Sequence, residues 1–498
     1  MKKYFILPLI AFVLMFSSCD KYLDINYDPT KPTEDMLNQS QILPAVEMNL
    51  AASYGNYLRI VGGFLSEQYA QRYGTSNYLE LSQFEVKPSA TGSLGYEQFY
   101  LRVISLGSTV INKAKESNDN GTLLAATVLR AFAFAAMVDC YDSIPYTESV
   151  TDNKQPKYDD GRTVYNGIIA EIDDVLAKVK TSDLVATNFL FPGQNAEVWI
   201  RFANALKLKL YTRISNVDSD VLPKIAELLN SPLPTSDVAF KGCWNPSAGG
   251  ENPFYAGEFG SNFSVQYNVV VNTTLIETMK NSGDKRIAAF FTKNNKDDYM
   301  GGVSGTNFST FTDIYGSASF SRPVMTYDAP LSLLSLTEIE FYKAEYYARM
   351  GDAANAKLYY ESAIRQSFKS AGVDGADENI AYYPYDQANW QKSIGLAKYL
   401  ALSGVDNFEV WCELRRLRYP AFDENVSGAN ICQESSKVYS PEKYVPGTLY
   451  TPINVSSYIG NNALAERFPH PSVSSNANPN CPVNFDGIYK LPVFWVKK

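Results

Sequence analysis

Histidine occurs once in 498 residues, as His470, and that scarcity removes most acid–base and nucleophilic chemistry from consideration. Ser-His-Asp and Cys-His mechanisms would both have to use it, and it sits in Arg467-Phe468-Pro469-His470-Pro471, a loop stiffened by prolines. Cysteine is sparse, at 6, and no C-x-x-C pair occurs, so the usual ligand set of a zinc site is missing. A phosphate-cradling glycine loop and a nucleophile elbow are lacking as well. Positive charge is in deficit, with 44 Lys and Arg against 53 Asp and Glu and a net charge of -9. The densest basic cluster, Arg415-Arg416-Leu417-Arg418, is too local to follow a phosphate backbone, which argues for a structural role and against a nucleic-acid partner. After the N-terminal stretch no apolar run reaches the about 18 residues of a membrane span, and the nearest, Leu123 to Val138, is interrupted by Arg130. No cofactor is expected, and Asp297-Asp298 lacks the ligand spacing of an EF-hand calcium loop. Carboxylate-based glycoside hydrolysis stays open, because 53 acidic residues offer many pairs.

What is present begins with Cys19. Lys2 and Lys3 form a positive start, Tyr4 to Phe16 an apolar run too short for a permanent span, and Phe16-Ser17-Ser18-Cys19 a small-residue approach to a cysteine. The pattern reads as a bacterial lipoprotein signal over 1–18 with Cys19 as the acylated residue; Phe16 in place of the usual leucine leaves ordinary signal cleavage or an uncleaved N-terminal anchor as the alternatives. Residues 19–35, with Asp28-Pro29 and Lys31-Pro32, then read as a turn-rich tether. Acylation at Cys19 leaves an odd number of thiols. Cys140 lies in an apolar helical run and reads as buried, whereas Cys412, Cys432 and Cys481 could supply one bridge in an oxidising envelope.

The body from 36 to 498 reads as one unit, mainly α-helical over about 36–230 and 331–420, with loop-rich stretches at about 231–330 and 421–498. Thr337 to Met350 has helical periodicity, Gly351 can stop it in a left-handed cap, and Asp352 can cap a second helix reaching Ser367. Ala344, Tyr347, Gly351, Ala356, Tyr360 and Ala363 fall at tetratricopeptide offsets, and a single such hairpin needs others to stack on it. Further helices are expected over 96–115, 122–141, 165–179 and 196–215. In the last of these Trp199, Phe202, Ala203, Leu206 and Leu210 share a face, and Arg201, Lys207 and Lys209 seek solvent or pairs. Proline, glycine, asparagine and serine break the periodicity over 231–330 except around Thr274 to Lys280, and long loops on a rigid scaffold commonly carry function.

Several segments, in order, resemble one family. They are Asp20-Lys21-Tyr22-Leu23-Asp24-Ile25-Asn26-Tyr27-Asp28-Pro29, then Leu129-Arg130-Ala131-Phe132 leading to Tyr141-Asp142-Ser143-Ile144-Pro145-Tyr146, and the helix Trp199 to Arg213. Gly283-Asp284-Lys285-Arg286, Glu409-Val410-Trp411, Arg415-Arg416 to Tyr419-Pro420, Arg467 to Pro471 and Val493-Phe494-Trp495 follow. Together they resemble the SusD/RagB-like outer-membrane lipoproteins of Bacteroidota, in the second SusD-like branch, over essentially the whole chain. Lys285 for proline and His470 for tyrosine depart from the pattern. The resemblance implies a mainly α fold, tetratricopeptide-like hairpins with a large loop-rich ligand face. It implies a non-catalytic protein, lipid-anchored and facing the cell surface, that captures glycans or related nutrients, including peptides or glycopeptides. The implied partner is a SusC-like TonB-dependent transporter, over which the protein would close as a lid.

A saccharide binder needs ring faces flanked by amides and carboxylates. Trp244, Tyr255 and Tyr267, among Asn245, Glu251, Asn252 and Asn268, offer that mixture, as do Tyr73 and Tyr78 in another polar loop. The candidate ligand residues are therefore Tyr73, Tyr78, Trp244, Asn252, Tyr255 and Tyr267. Taken one at a time each ring is more simply a core anchor, and Trp199 and Trp411, on amphipathic helices, are read as structural. Two alternatives stand beside this reading. A secreted glycoside hydrolase would bring two carboxylates to about 5 to 9 Å in a cleft, and a tetratricopeptide-type scaffold would keep a concave helical groove for peptide.

Overall fold

The computed structural model describes residues 36–73, 75–89, 95–260, 267–306 and 318–497, so the leader, Cys19 and the tether lie outside the described residues. Helix α1, Gln39–Ala52, opens on a reciprocal cap between Asn38 and Gln41. It continues through a π-helical segment, Ser53–Leu58, into α2, Arg59–Leu65. A second π segment, Phe99–Ile104, leads into α3, Ser105–Glu116. The core helix α4, Asn120–Tyr141, is apolar on every face and packs against α3, α5 (Gly161–Leu176) and α6 (Ala196–Ile214). It is long and apolar enough to cross a membrane, but its apolar window is 94% buried within the fold, which identifies it as a core element. Arg130 escapes to its rim, where it meets Glu171 at 2.7 Å and the Ser108 hydroxyl at 2.9 Å.

Two strand pairs tie the loop-rich region back to the helices. β1 (Tyr69–Gln71) pairs antiparallel with β3 (Val269–Val271), and β2 (Val238–Phe240) with β4 (Leu331–Leu334). Between them lie a short helix, α7 (Pro253–Glu258), and α8 (Thr273–Ser282).

The tetratricopeptide-like hairpin forms from α9, Leu336–Arg349, and α10, Ala353–Ala371. Ser335 and Glu338 make a capping box at its start, Gly351 takes the left-handed backbone at φ 75°, and the Asp352 carboxylate accepts from Asn355 N. Ala344, Ala356, Tyr360 and Ala363 are all buried in one cluster, so the two backbones approach closely at the small side chains. Ala344→Leu should therefore overpack the seam and cost about 1 to 3 kcal/mol, read as a lower urea midpoint at unchanged slope; an unaltered midpoint would mean the hairpin is looser than described. Three helices complete this side: α11 (Ala376–Tyr382), α12 (Trp390–Leu402) and α13 (Asn407–Leu417).

The recurrent sequence segments converge on one buried centre. Arg213 on α6 bridges Asp139 on α4 and Glu409 on α13, and Lys209 reaches Glu409 at 2.7 Å. Lys398 meets Glu413 at 2.9 Å, and Arg416 joins Glu413 at 2.6 Å and Glu345 on α9. Arg415 lies 3.4 Å above the Trp411 ring and 5.0 Å from Trp495, donating to the carbonyls of Asp139 and Glu466. The basic cluster is thus structural. Phe468 N donates to Cys140 O at 2.7 Å, and Trp495 Nε1 to Asp139 at 2.9 Å, so the C-terminal segment closes over α4. In the turn after α4 it is Asp142, at φ 67°, that adopts the left-handed backbone, held there by Phe494 N and Arg467.

No disulfide joins the described cysteines, so the bridge that Cys412, Cys432 and Cys481 could have supplied is not formed. Each has a different setting. Cys412 sits inside α13 against Arg415, Cys432 in a strand paired with Tyr439, and Cys481 beside Tyr158. His470 is buried between Tyr141 and Tyr158, and burial followed by Arg467 lowers its pKa to about 4, so it is neutral at physiological pH.

Candidate ligand-binding site

The first π segment borders a cavity. Ser53, Asn56 and Tyr57 from the first and Gln98, just before the second, line a space of about 430 Å³ with Ile60, Tyr78, Leu81 and Lys87. A π turn disturbs the regular i→i−4 ladder and is recurrent at functional sites. The volume lies in the range of small-molecule sites, and the lining mixes rings and aliphatic groups with amides. Asn56 Oδ1 is buried without a hydrogen-bond partner among the described residues, beside Gly257, where the absence of a Cβ leaves it room. The sequence reading missed Asn56, Tyr57 and Gln98, because π helices carry no periodic signature distinct from α.

Tyr78 joins this cavity to the face built on α7. Its hydroxyl donates to Glu258 Oε1 at 2.5 Å, and Glu258 also accepts from Asn268 N at 3.1 Å. Burial raises the Glu258 carboxyl despite those donors, and burial together with Glu258 raises the Tyr78 phenol. Beyond Glu258 the rings step outward: Tyr255 to Phe259 at 6.5 Å and 32°, then Phe259 to Tyr267 at 6.5 Å and 20°. Beneath them Phe254 stacks on Tyr69 at 6.0 Å, and the Tyr69 hydroxyl donates to Asn407 Oδ1 at 2.8 Å, anchoring the face to α13.

Three guanidiniums decorate these rings. Arg59 lies 4.5 Å from the Phe254 centroid, and Arg72 and Arg322 lie 4.7 and 4.5 Å from that of Tyr267. Tyr267 therefore offers less open face than a bare ring and acts as a platform for two cations. Tyr73 sits beside it, edge-on to Phe320 at 5.9 Å.

Asn252 is placed otherwise than expected. It is 1% exposed, its Oδ1 caps α7 by accepting from Phe254 N and Tyr255 N, and its amide donates to Ala329 O, so no polar atom is left for a ligand. The Asn-Pro step is itself a legible cap signal. Trp244 is half-buried on Phe240 at the margin of the main core, 6.3 Å between centroids, and does not join the ring ladder. Tyr73, Tyr78, Tyr255 and Tyr267 are the four that the fold gathers around α7 and β1. A larger cleft of about 640 Å³, lined by Tyr382, Tyr383, Tyr419 and Asn389, lies on α11 and α12 and holds none of the six.

Comparison with known proteins gives one family. Its model, SusD-like and described as starch-binding and associating with the outer membrane, matches residues 31–440. Among curated proteins none matches the chain. A SusD homolog from Bacteroides uniformis superposes with a TM-score of 0.72 at 20% identity, covering 92% of this chain and 99% of that one. A chitin-binding SusD homolog from Flavobacterium johnsoniae gives 0.70 at 18%, over 91% and 98%. A SusD homolog from Bacteroides thetaiotaomicron gives 0.69 at 17%, over 93% and 99%. At these identities the likeness establishes the fold.

Proposed function

The chain belongs to the SusD-like family, and from that premise we propose that it is a non-catalytic lipoprotein that captures oligosaccharide at the outer membrane and passes it to a SusC-like TonB-dependent transporter. The observation that carries the saccharide reading is the junction at Tyr78, where an amide-bearing cavity meets a run of half-buried aromatic rings. Rings suit the C–H faces of pyranoses, and Asn56, Gln98 and the arginines suit their hydroxyls. Carriage by binding is favoured over hydrolysis because two of the carboxylates here are committed, Glu258 to Tyr78 and Asn268 and Glu80 to Lys87. The anchor is assigned to Cys19. The helical side is left to meet the transporter.

Tyr78→Ala and Tyr255→Ala should each weaken oligosaccharide binding by about tenfold, roughly 1.4 kcal/mol, in calorimetric titrations against malto-, chito- and uronate oligosaccharides. Release of reducing ends by the purified protein would instead favour the hydrolase. Cys19→Ser should move the protein out of the membrane fraction, and the native protein, extracted in mild detergent, should co-purify with a large β-barrel. Recovery of the acylated protein with no barrel would remove the transporter from the proposal.

A further inference from the structure

Arg59, Arg72 and Arg322 lack the carboxylate partner that most other arginines of this fold have, and unlike Arg415 they do not donate to backbone carbonyls in its place. The buried guanidiniums of Arg213, Arg286 and Arg416 each face a carboxylate, as expected in a chain with nine more acids than bases. Among the described residues Arg72 and Arg322, half-buried, have neither an ion pair nor a side-chain hydrogen bond, and Arg59, 6% exposed, donates only from Nε to the Tyr69 hydroxyl at 3.3 Å. Their places are fixed all the same. Arg72 N donates to Asn268 O at 2.8 Å, Thr292 N to Arg322 O at 2.9 Å, and the two guanidiniums share one ring.

Two cations over one ring stand no more than about 9 Å apart, within a Debye length, so they repel, and no carboxylate among the described residues forms an ion pair with either. The ring quadrupole recovers part of that cost but uses none of the N–H donors. A planar guanidinium fork whose N–H donors are not taken up by an acid is suited to bidentate capture of a carboxylate or sulfate. Resting on the saccharide reading above, we propose that the ligand is an acidic oligosaccharide, and that Arg72 and Arg322 bind its anionic group over Tyr267 while Arg59 adds a third positive charge behind Phe254.

The test titrates the full chain in detergent with a galacturonate tetramer, a sulfated chondroitin tetrasaccharide, neutral maltotetraose and a tetraglutamate peptide. One of the anionic saccharides should bind roughly ten- to a hundredfold more tightly than maltotetraose, with the gap closing as salt is raised. The better of the two separates carboxylate from sulfate. Arg72→Gln with Arg322→Gln should bring the anionic-to-neutral ratio toward one, whereas Arg72→Lys with Arg322→Lys should retain part of it. The salt dependence of the unaltered protein tests the same point should the variants not fold. Equal affinity for maltotetraose at all salt concentrations overturns the acidic ligand and leaves saccharide capture standing. Binding of the peptide alone, or of none of the four, overturns both.

Discussion

Glu409→Ala is expected to lower folding stability by about 3 to 5 kcal/mol, the largest single effect in this protein. Its carboxylate is buried and lies against Arg213 on one side and Lys209, at 2.7 Å, on the other, with Lys398 4.0 Å away. Burial works to raise its pKa, but Arg213 and Lys209 overcome that and hold the carboxyl below its ordinary value, so it is charged. Truncation leaves Arg213 with Asp139 alone and Lys209 with a longer 3.4 Å contact to Glu338. Stranding buried cations costs far more than an apolar deletion of equal size, since their hydration is not restored. Glu409→Gln keeps the shape and an acceptor and should cost less than the alanine. Equilibrium urea unfolding followed by circular dichroism decides the matter, and a change under 1 kcal/mol for the alanine would show that this ion lattice does not carry the fold.

Glu47 should make folding stability fall as pH rises. It lies buried on α1, accepting from Phe189 N and Leu190 N at 3.3 Å, and burial raises its pKa from 4.5 to about 7 against the pull of those two amides. Below pH 4.5 the carboxyl is protonated in both folded and unfolded chains and contributes nothing to the difference. As pH rises from 4.5 to about 7 the unfolded chain releases its proton while the folded one retains it, so stability falls, by roughly 3 kcal/mol in all, and then levels off. Glu47→Gln lacks that titration. The stability of the variant relative to the native protein should therefore improve by about that amount between pH 4.5 and 8. Native and variant unfolding measured at both pH values suffices, and a constant difference between them would show that Glu47 is ionised in the fold.

The hairpin of α9 and α10 was legible because its signals are local. Small residues at helical spacing, a glycine at the stop and an aspartate at the restart each act within one turn of chain. The ring-bearing character of residues 244–267 was legible in the same way, though which rings are exposed was not. Asn252 shares its surroundings in sequence with Tyr255, yet one caps a helix and the other joins the ladder. Lys209, read as seeking solvent or a pair, found its pair in the core. Arg72 and Arg322 carry no local signal, since an arginine reads the same in sequence whether or not an acid answers it from elsewhere in the fold.

The linear order of residues by itself determined the helix starts and stops, the apolar stripes and the absence of histidine-based chemistry, all set by neighbours within a few positions. Only the tertiary structure decided which charges are matched and which stay open. Arg213 and Glu409 lie 196 residues apart in the chain yet meet in the core. Coulomb interaction depends on distance and solvent exclusion, and neither is fixed until the helices pack.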